Sequence, residues 1–272
     1  MSIIHTILPK QALNISQLNQ FVTTIDDAVY EDRGNGIYYY WIAGKSTRGF
    51  DITLEQDSIE VRNTVLSNHE DYELTNKIVA EILRLTDGIL LDEDEEQVTS
   101  LPLFSEKAIN ELELSDCGTI LTLAKENGDI AIYGPMRKVH FGKRLHSLLE
   151  MVNKEVIRRM MFNTILKVNY EIPNFEYGNV MRIGNTEEDK KILKLLTNTV
   201  DCLIDKYDYI LFEMPNGNPI MITNAVLNTM LPSNWVLVDE FTIVAPITSQ
   251  AEWNTLVANA KKQDCYNDFV NN

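Results

Sequence analysis

Cysteine, histidine and long apolar runs are all scarce in this sequence, and each scarcity removes a class of protein. The 3 cysteines, Cys117, Cys202 and Cys265, stand far apart with no CxxC pair. That spacing excludes a disulfide framework and a structural zinc site and leaves small buried thiols as the expectation. The 4 histidines, His5, His69, His140 and His146, form no HExxH pair, and the last two, placed on one helix, would fall on different faces. No metal site is expected. No uncharged apolar run approaches the ~18 to 20 residues that cross a bilayer, and stretches such as Ile37 to Ala43 have strand length. The opening MSIIHTILPKQALNISQ lacks the charged start, continuous apolar middle and small-residue cleavage site of a secretory signal. A cytoplasmic protein with no membrane contact is expected.

Basic residues are also in the minority. The 24 Lys and Arg face 40 Asp and Glu, giving a net charge of −16. A surface of that sign repels a nucleic-acid backbone and attracts a basic protein over long range, so the expected partner is a protein, basic in character, and not DNA or RNA. Hydrophobic residues at 44% with only 12 Gly and 8 Pro describe a chain that folds, and 272 residues suffice for two domains.

Motifs of chemistry are missing. Gly44-Lys45-Ser46-Thr47 copies the end of a phosphate-binding loop, but the required first glycine, five residues before the Gly-Lys pair, is Tyr39. The following Arg48 to Leu54 reads as a strand, so GKST is a hairpin turn and no nucleotide is expected. The acidic run Asp92-Glu93-Asp94-Glu95-Glu96 has neither the spaced ligands nor the central glycine of a calcium loop and reads as a solvated turn. No GxSxG elbow is present, no catalytic residue can be singled out, and no cofactor is implied.

What is present is an α+β pattern of mixed and antiparallel sheets with packed helices. Ile37 to Ala43, Arg48 to Leu54 and Ser58 to Asn63 predict a three-stranded meander, with Phe50, Ile52 and Leu54 alternating. A helix capped by Ser67 or Asn68 follows, runs through Ile78, Val79, Ile82 and Leu85, and stops at Gly88 before a short strand, Ile89 to Leu91. Asn127-Gly128 between Cys117 to Ala124 and Ile130 to Tyr133 predicts a hairpin. From Phe141 to Leu166, the spacing of Leu145, Leu148, Leu149, Val152, Val156 and Met160 predicts one long central helix.

Pro173, Asn174 and Gly178 mark a seam, dividing an N-terminal domain, 1–170, from a C-terminal one, 171–272. The second half predicts a strand at Val180 to Ile183, a helix from Thr186 to Ile204, a strand at Tyr207 to Glu213, a turn at Pro215 to Pro219 and a return at Ile220 to Ile222. A short helix at Val226 to Met230, a strand at Val236 to Ala245 and a helix from Thr248 to Lys262 complete it. The helix starts Asn68-His69-Glu70-Asp71 and Asn185-Thr186-Glu187-Glu188-Asp189 echo each other faintly.

One segment reverses the charge. Residues 134–167 hold Arg137, Lys138, Lys143, Arg144, Lys154, Arg158, Arg159 and Lys167 against Glu150 and Glu155, a segment charge of +6 that leaves −22 on the rest. These cations either pair with acids elsewhere in the fold or form a binding patch, for which Arg137, Lys138, Lys143, Arg144 and Arg158 are the candidates, with Gly142-Lys143-Arg144 entering a helix start.

Lys45-Ser46-Thr47-Arg48-Gly49-Phe50 followed by Glu70-Asp71-Tyr72-Glu73, with Asp239 to Pro246 and Glu252-Trp253 later, resembles an uncharacterised family of bacterial α+β proteins. The resemblance implies no activity, cofactor or site residue. The leading expectation is a non-enzymatic acidic protein-binding module, in its most concrete version a neutralising, immunity-type protein. The competing class is an enzyme or small anionic-ligand-binding protein with a site between the halves, near segment 137–159.

Overall fold

Alternating aromatic and β-branched residues need one buried face, and two helices supply it. The structure, a computed structural model, describes residues 2–149, 151–184, 186, 189–213 and 219–271. It divides into two compact units, Met1–Glu171 and Ile172–Asn272, in an α+β arrangement.

The first unit opens with β1 (Ser2–Leu8), α1 (Ile15–Val22) and β2 (Ala28–Gly34), elements that the sequence pattern did not separate. The expected meander follows as β3 (Ile37–Ile42), β4 (Phe50–Leu54) and β5 (Ile59–Thr64), then α2 (His69–Thr86) and β6 (Ile89–Leu91). These six strands form one antiparallel sheet in the order β2-β3-β4-β5-β1-β6. Tyr40, Ile42, Phe50, Ile52, Ile59 and Val61 turn one face of it toward Leu18 and Val22 of α1 and Leu74, Ile78, Val79 and Ile82 of α2. The stripe on α2 is the one the sequence predicts. Its stop is Asp87, in the left-handed conformation at φ +46°, one residue before Gly88. On the strands of the sheet, Asp51 binds Arg62 at 2.7 Å and Arg33 at 3.3 Å, and the Arg33 guanidinium lies 3.7 Å from the centre of the Tyr39 ring.

The predicted hairpin at Asn127-Gly128 is replaced by a helix terminus. Cys117 to Ala124 belong to α3 (Glu106–Asn127), and Gly128, at φ +79°, is its C-cap. A hairpin turn and a helix C-cap both call for a left-handed residue, so Asn-Gly serves either. The buried positions Ile109, Glu113, Cys117, Ile120, Leu121 and Ala124 keep helical spacing. β7 (Asp129–Tyr133) then pairs with β8 (Lys138–Gly142). His140 therefore stands on a strand, where it is buried and its Nδ1 lies 3.0 Å from Asp129.

The single long helix from Phe141 to Leu166 does not form. Its range holds the end of β8, then α4 (Lys143–Leu149) and α5 (Lys154–Leu166), the latter started by the Asn153 side chain accepting from the Val156 amide at 3.0 Å. Leu145 and Ile165 are buried, whereas Leu148, Val152 and Met160 are exposed and Met161 takes the inward position. The Leu149 side chain lies outside the described residues. A π-helical turn, Lys167–Glu171, ends the unit.

The second unit holds β9 (Val180–Ile183), β10 (Lys191–Leu196), β11 (Cys202–Ile204), β12 (Tyr209–Phe212), β13 (Ile220–Thr223), α6 (Asn224–Leu227), β14 (Val236–Leu237), β15 (Ile243–Ala245), α7 (Gln250–Lys261) and α8 (Tyr266–Asn271). The helix expected from Thr186 to Ile204 is corrected to two strands. β10 runs parallel to β12 and antiparallel to β9, a non-local pairing that overrides the helix preference of Lys and Leu. The strand expected over Val236 to Ala245 is split into β14 and β15 by Asp239, whose carboxylate accepts from the Phe241 and Thr242 amides. Sheets β13-β12-β10-β9 and β11-β15-β14 enclose a core of Leu196, Ile210, Phe212, Ile222, Ile243 and Leu256. Of the expected turn at Pro215 to Pro219 only Pro219 is described, and Asn185, Glu187 and Glu188 of the helix-start echo also lie outside the described residues. Among the described residues no helix is long and apolar enough to cross a membrane.

Candidate functional site

The GKST segment connects β3 to β4, and the next element is a strand, not the helix a phosphate loop requires. Gly44 takes the left-handed turn at φ +75°, and Lys45 is exposed, its Nζ pairing with the exposed Asp27 carboxylate at 3.0 Å. The next residues are buried completely, because they meet the start of α2. Asn68 caps that helix in a reciprocal box with Asp71, which is 0% exposed.

The Asp71 carboxylate collects the donors of the β3–β4 connection. It accepts from the Arg48 amide at 2.9 Å, the Gly49 amide at 2.8 Å and the Asn68 amide at 3.1 Å, and lies 3.1 Å from the Thr47 hydroxyl, which is shared with the Leu66 carbonyl at 2.7 Å. The Asn68 side chain returns a bond to the Lys45 carbonyl at 2.8 Å, and the Tyr170 hydroxyl donates to the Ser46 carbonyl at 2.9 Å. Burial raises the Asp71 pKa, while the donors from Ser46, Arg48, Asn68 and Gly49 oppose the rise. Tyr39 donates to the Arg48 carbonyl, and its own burial, aided by the Asp71 charge, pushes its phenol far above the usual range. Arg48 places its Nε in the interior without a hydrogen bond among the described residues, and Asp71, Asp51 and Asp116 offset its charge through space.

This arrangement ties a loop to a helix. The carboxylate is enclosed and its lone pairs are occupied by protein donors, so a substrate has no path to it. The motif carrying the family resemblance is thus a structural knot. The sequence contained both halves, and the Asn68-x-x-Asp71 capping pattern was the signal that could have joined them.

Two charged surface features differ in how far their charge is already used. The acidic run follows β6 as a tight turn. Asp92 Oδ1 accepts from the Asp94 amide at 3.0 Å and the Glu96 amide at 2.9 Å, while Glu93 accepts from the Ile4 amide at 2.9 Å and pins the turn to β1. Residues 93–96 are exposed, and among the described residues no ion pair joins any of the five acids to a Lys or Arg. The nearby His5 adds no full charge, since burial lowers its pKa against the opposing pull of Glu93 and Asp92.

The cations of the basic segment are differently placed. Arg137 donates to the carbonyls of Val168 at 3.2 Å and Asn169 at 3.3 Å. Arg158 binds Glu113 at 2.8 Å, Glu155 at 2.7 Å and Asn110 at 2.6 Å. Lys138 and Arg144 also interact with neighbours. Lys143 and Arg144 are exposed at the start of α4. Among the described residues no cluster of His, Cys, Asp and Glu could hold a metal ion.

No curated protein and no solved structure matches the chain. A family described as a domain of unknown function, DUF4299, matches residues 5–164, which span the meander, the Asp71 knot, the acidic turn and α3 to α5. More than half of the sequence carries that match, and the chain belongs to this family.

Proposed function

We propose that the chain acts by binding a basic protein partner, and that the acidic turn Asp92–Glu96 is where the partner docks. The observation that carries this reading is the uncompensated charge of the turn. Five neighbouring acids stand on a turn that backbone donors to Asp92 and Glu93 hold in place, with no Lys or Arg partner among the described residues, so a concentrated negative charge is left to attract a basic surface. The turn is already ordered, so binding incurs little conformational cost. A neutralising, immunity-type role, in which the acidic turn blocks a cationic surface, is the most concrete form of this proposal. The basic segment supports an anionic ligand less well, because Arg137 and Arg158 already satisfy groups of their own fold.

Charge reversal tests it. With the partner recovered by affinity capture from the native host, Asp94→Lys combined with Glu96→Lys should slow association by about tenfold or more at low salt, and the difference should shrink as salt screens the encounter. An unchanged rate in that variant, together with loss of binding in Lys143→Glu/Arg144→Glu, would transfer the site to the basic segment.

A further inference from the structure

Lys194 is a cation in an apolar place. It lies on β10 in register with Ile210 of β12 and Val180 of β9, and it shares a sheet face with Leu196, which packs with Ile210 and Phe212 in the core of the second unit. Only 2% of the residue is exposed, and among the described residues Nζ has no hydrogen bond or ion pair. Its charged-group neighbour is Cys202, whose thiol is itself pushed up by burial and so supplies no counter-ion. The stem is buried, but Nζ is not among the enclosed polar atoms that lack a partner, so the side chain delivers its amine to an accessible surface.

The amine also has room beside it. A Cβ at Gly178 would stand 2.7 Å from Nζ, so the glycine leaves open the space the amine uses. Gly178, Lys194 and Cys202 together line a cleft of about 650 Å³, within the range of small-ligand sites. Phe175, Val200 and Ile247 give it apolar wall, and Thr197 and Thr199 give it hydroxyls. Glu176 and Asp201 line it too, which disfavours an anionic occupant and favours a neutral one.

We propose that Lys194 forms a reversible imine with a small neutral aldehyde or ketone admitted to this cleft. The Nζ lone pair attacks the carbonyl carbon, and the C=O pair moves to oxygen to give a carbinolamine. The two hydrogens of the amine and the carbonyl oxygen then leave as water, and the C=N bond forms without any redox partner. Burial lowers the Lys194 pKa, which raises the fraction of neutral, nucleophilic amine. This site belongs to the C-terminal unit, beyond the residues matched by the family, and is independent of partner binding by the acidic turn.

The test uses the intact chain with propanal and sodium cyanoborohydride at pH 7, followed by peptide mapping of the propylated lysines. Lys194 should be modified more than about twofold faster than the exposed Lys191 of the same strand, because a lowered pKa leaves more of its amine neutral and the cleft holds the aldehyde beside it. The preference should vanish in denaturant, and Gly178→Ala should slow the reaction at Lys194 alone. Modification of Lys194 no faster than Lys191 in the folded chain would overturn the proposal, as would a preference that persists after unfolding.

Discussion

Replacing Asp71 with alanine should destabilise the N-terminal unit by about 3 to 5 kcal/mol, the cost of removing one member of a buried charged network. The loss arises on the donors' side. The amides of Arg48, Gly49 and Asn68 all point at the missing carboxylate, whereas the Thr47 hydroxyl keeps its 2.7 Å bond to the Leu66 carbonyl. Each buried donor left unpaired costs about 1 to 3 kcal/mol, and relaxation of the loop recovers part of the sum. Asp71→Asn should cost less, since its amide oxygen still accepts while its NH2 faces donors. Denaturant unfolding of the two variants measures both values. A loss below about 1 kcal/mol for Asp71→Ala would mean that the connection finds other partners and that the knot does not organise the unit.

Gly49→Ala should cost about 2 to 4 kcal/mol, combining a left-handed backbone with overpacking. Gly49 sits at φ +62°, and an added Cβ would meet the Tyr40 carbonyl at 2.5 Å and the Tyr39 ring at 2.8 Å. Neither can retreat, because Tyr39 is buried and bonded to the Arg48 carbonyl and Tyr40 packs in the core. Gly44→Ala is the internal control. It has a similar φ, +75°, with nothing within 4 Å of the added atom, and should cost only the ~1 kcal/mol of the backbone conformation. Equal losses at the two positions would show that close packing around Gly49 contributes nothing.

The parts of this fold that were legible in the sequence are those fixed by local chemistry. Strands β3 to β5 announce themselves by alternation and by turn residues, and α2 by its cap, its acidic first turn and its stripe. The errors came where one local signal serves two structures. Asn127-Gly128 satisfies a left-handed requirement that a hairpin and a helix end share, so the local pattern at the C-terminal end of α3 fits a strand as well as a helix. Lys191 to Leu196 is rich in helix formers, and its pairing with β9 on one side and with β12, across intervening β11, on the other makes it a strand. The candidate sites divide in the same way. Composition revealed the acidic turn and the basic segment, but which charges were already paired depends on neighbours distant in sequence, such as Glu113 for Arg158. Lys194 carried no signal at all, since a lysine between leucines in a supposed amphipathic helix belongs on the solvent face.

Hydrogen exchange of the chain with and without its captured partner, at low ionic strength, tests the central claim most directly. The acidic turn is exposed and closes on itself, so its peptides, covering residues 89 to 98, have amides that a docked basic segment would cover. The predicted result is slowed exchange in these peptides on binding, fading as salt is raised, with the meander core unchanged. Protection confined to residues 137 to 159, with the turn exchanging as in the free chain, would contradict the account.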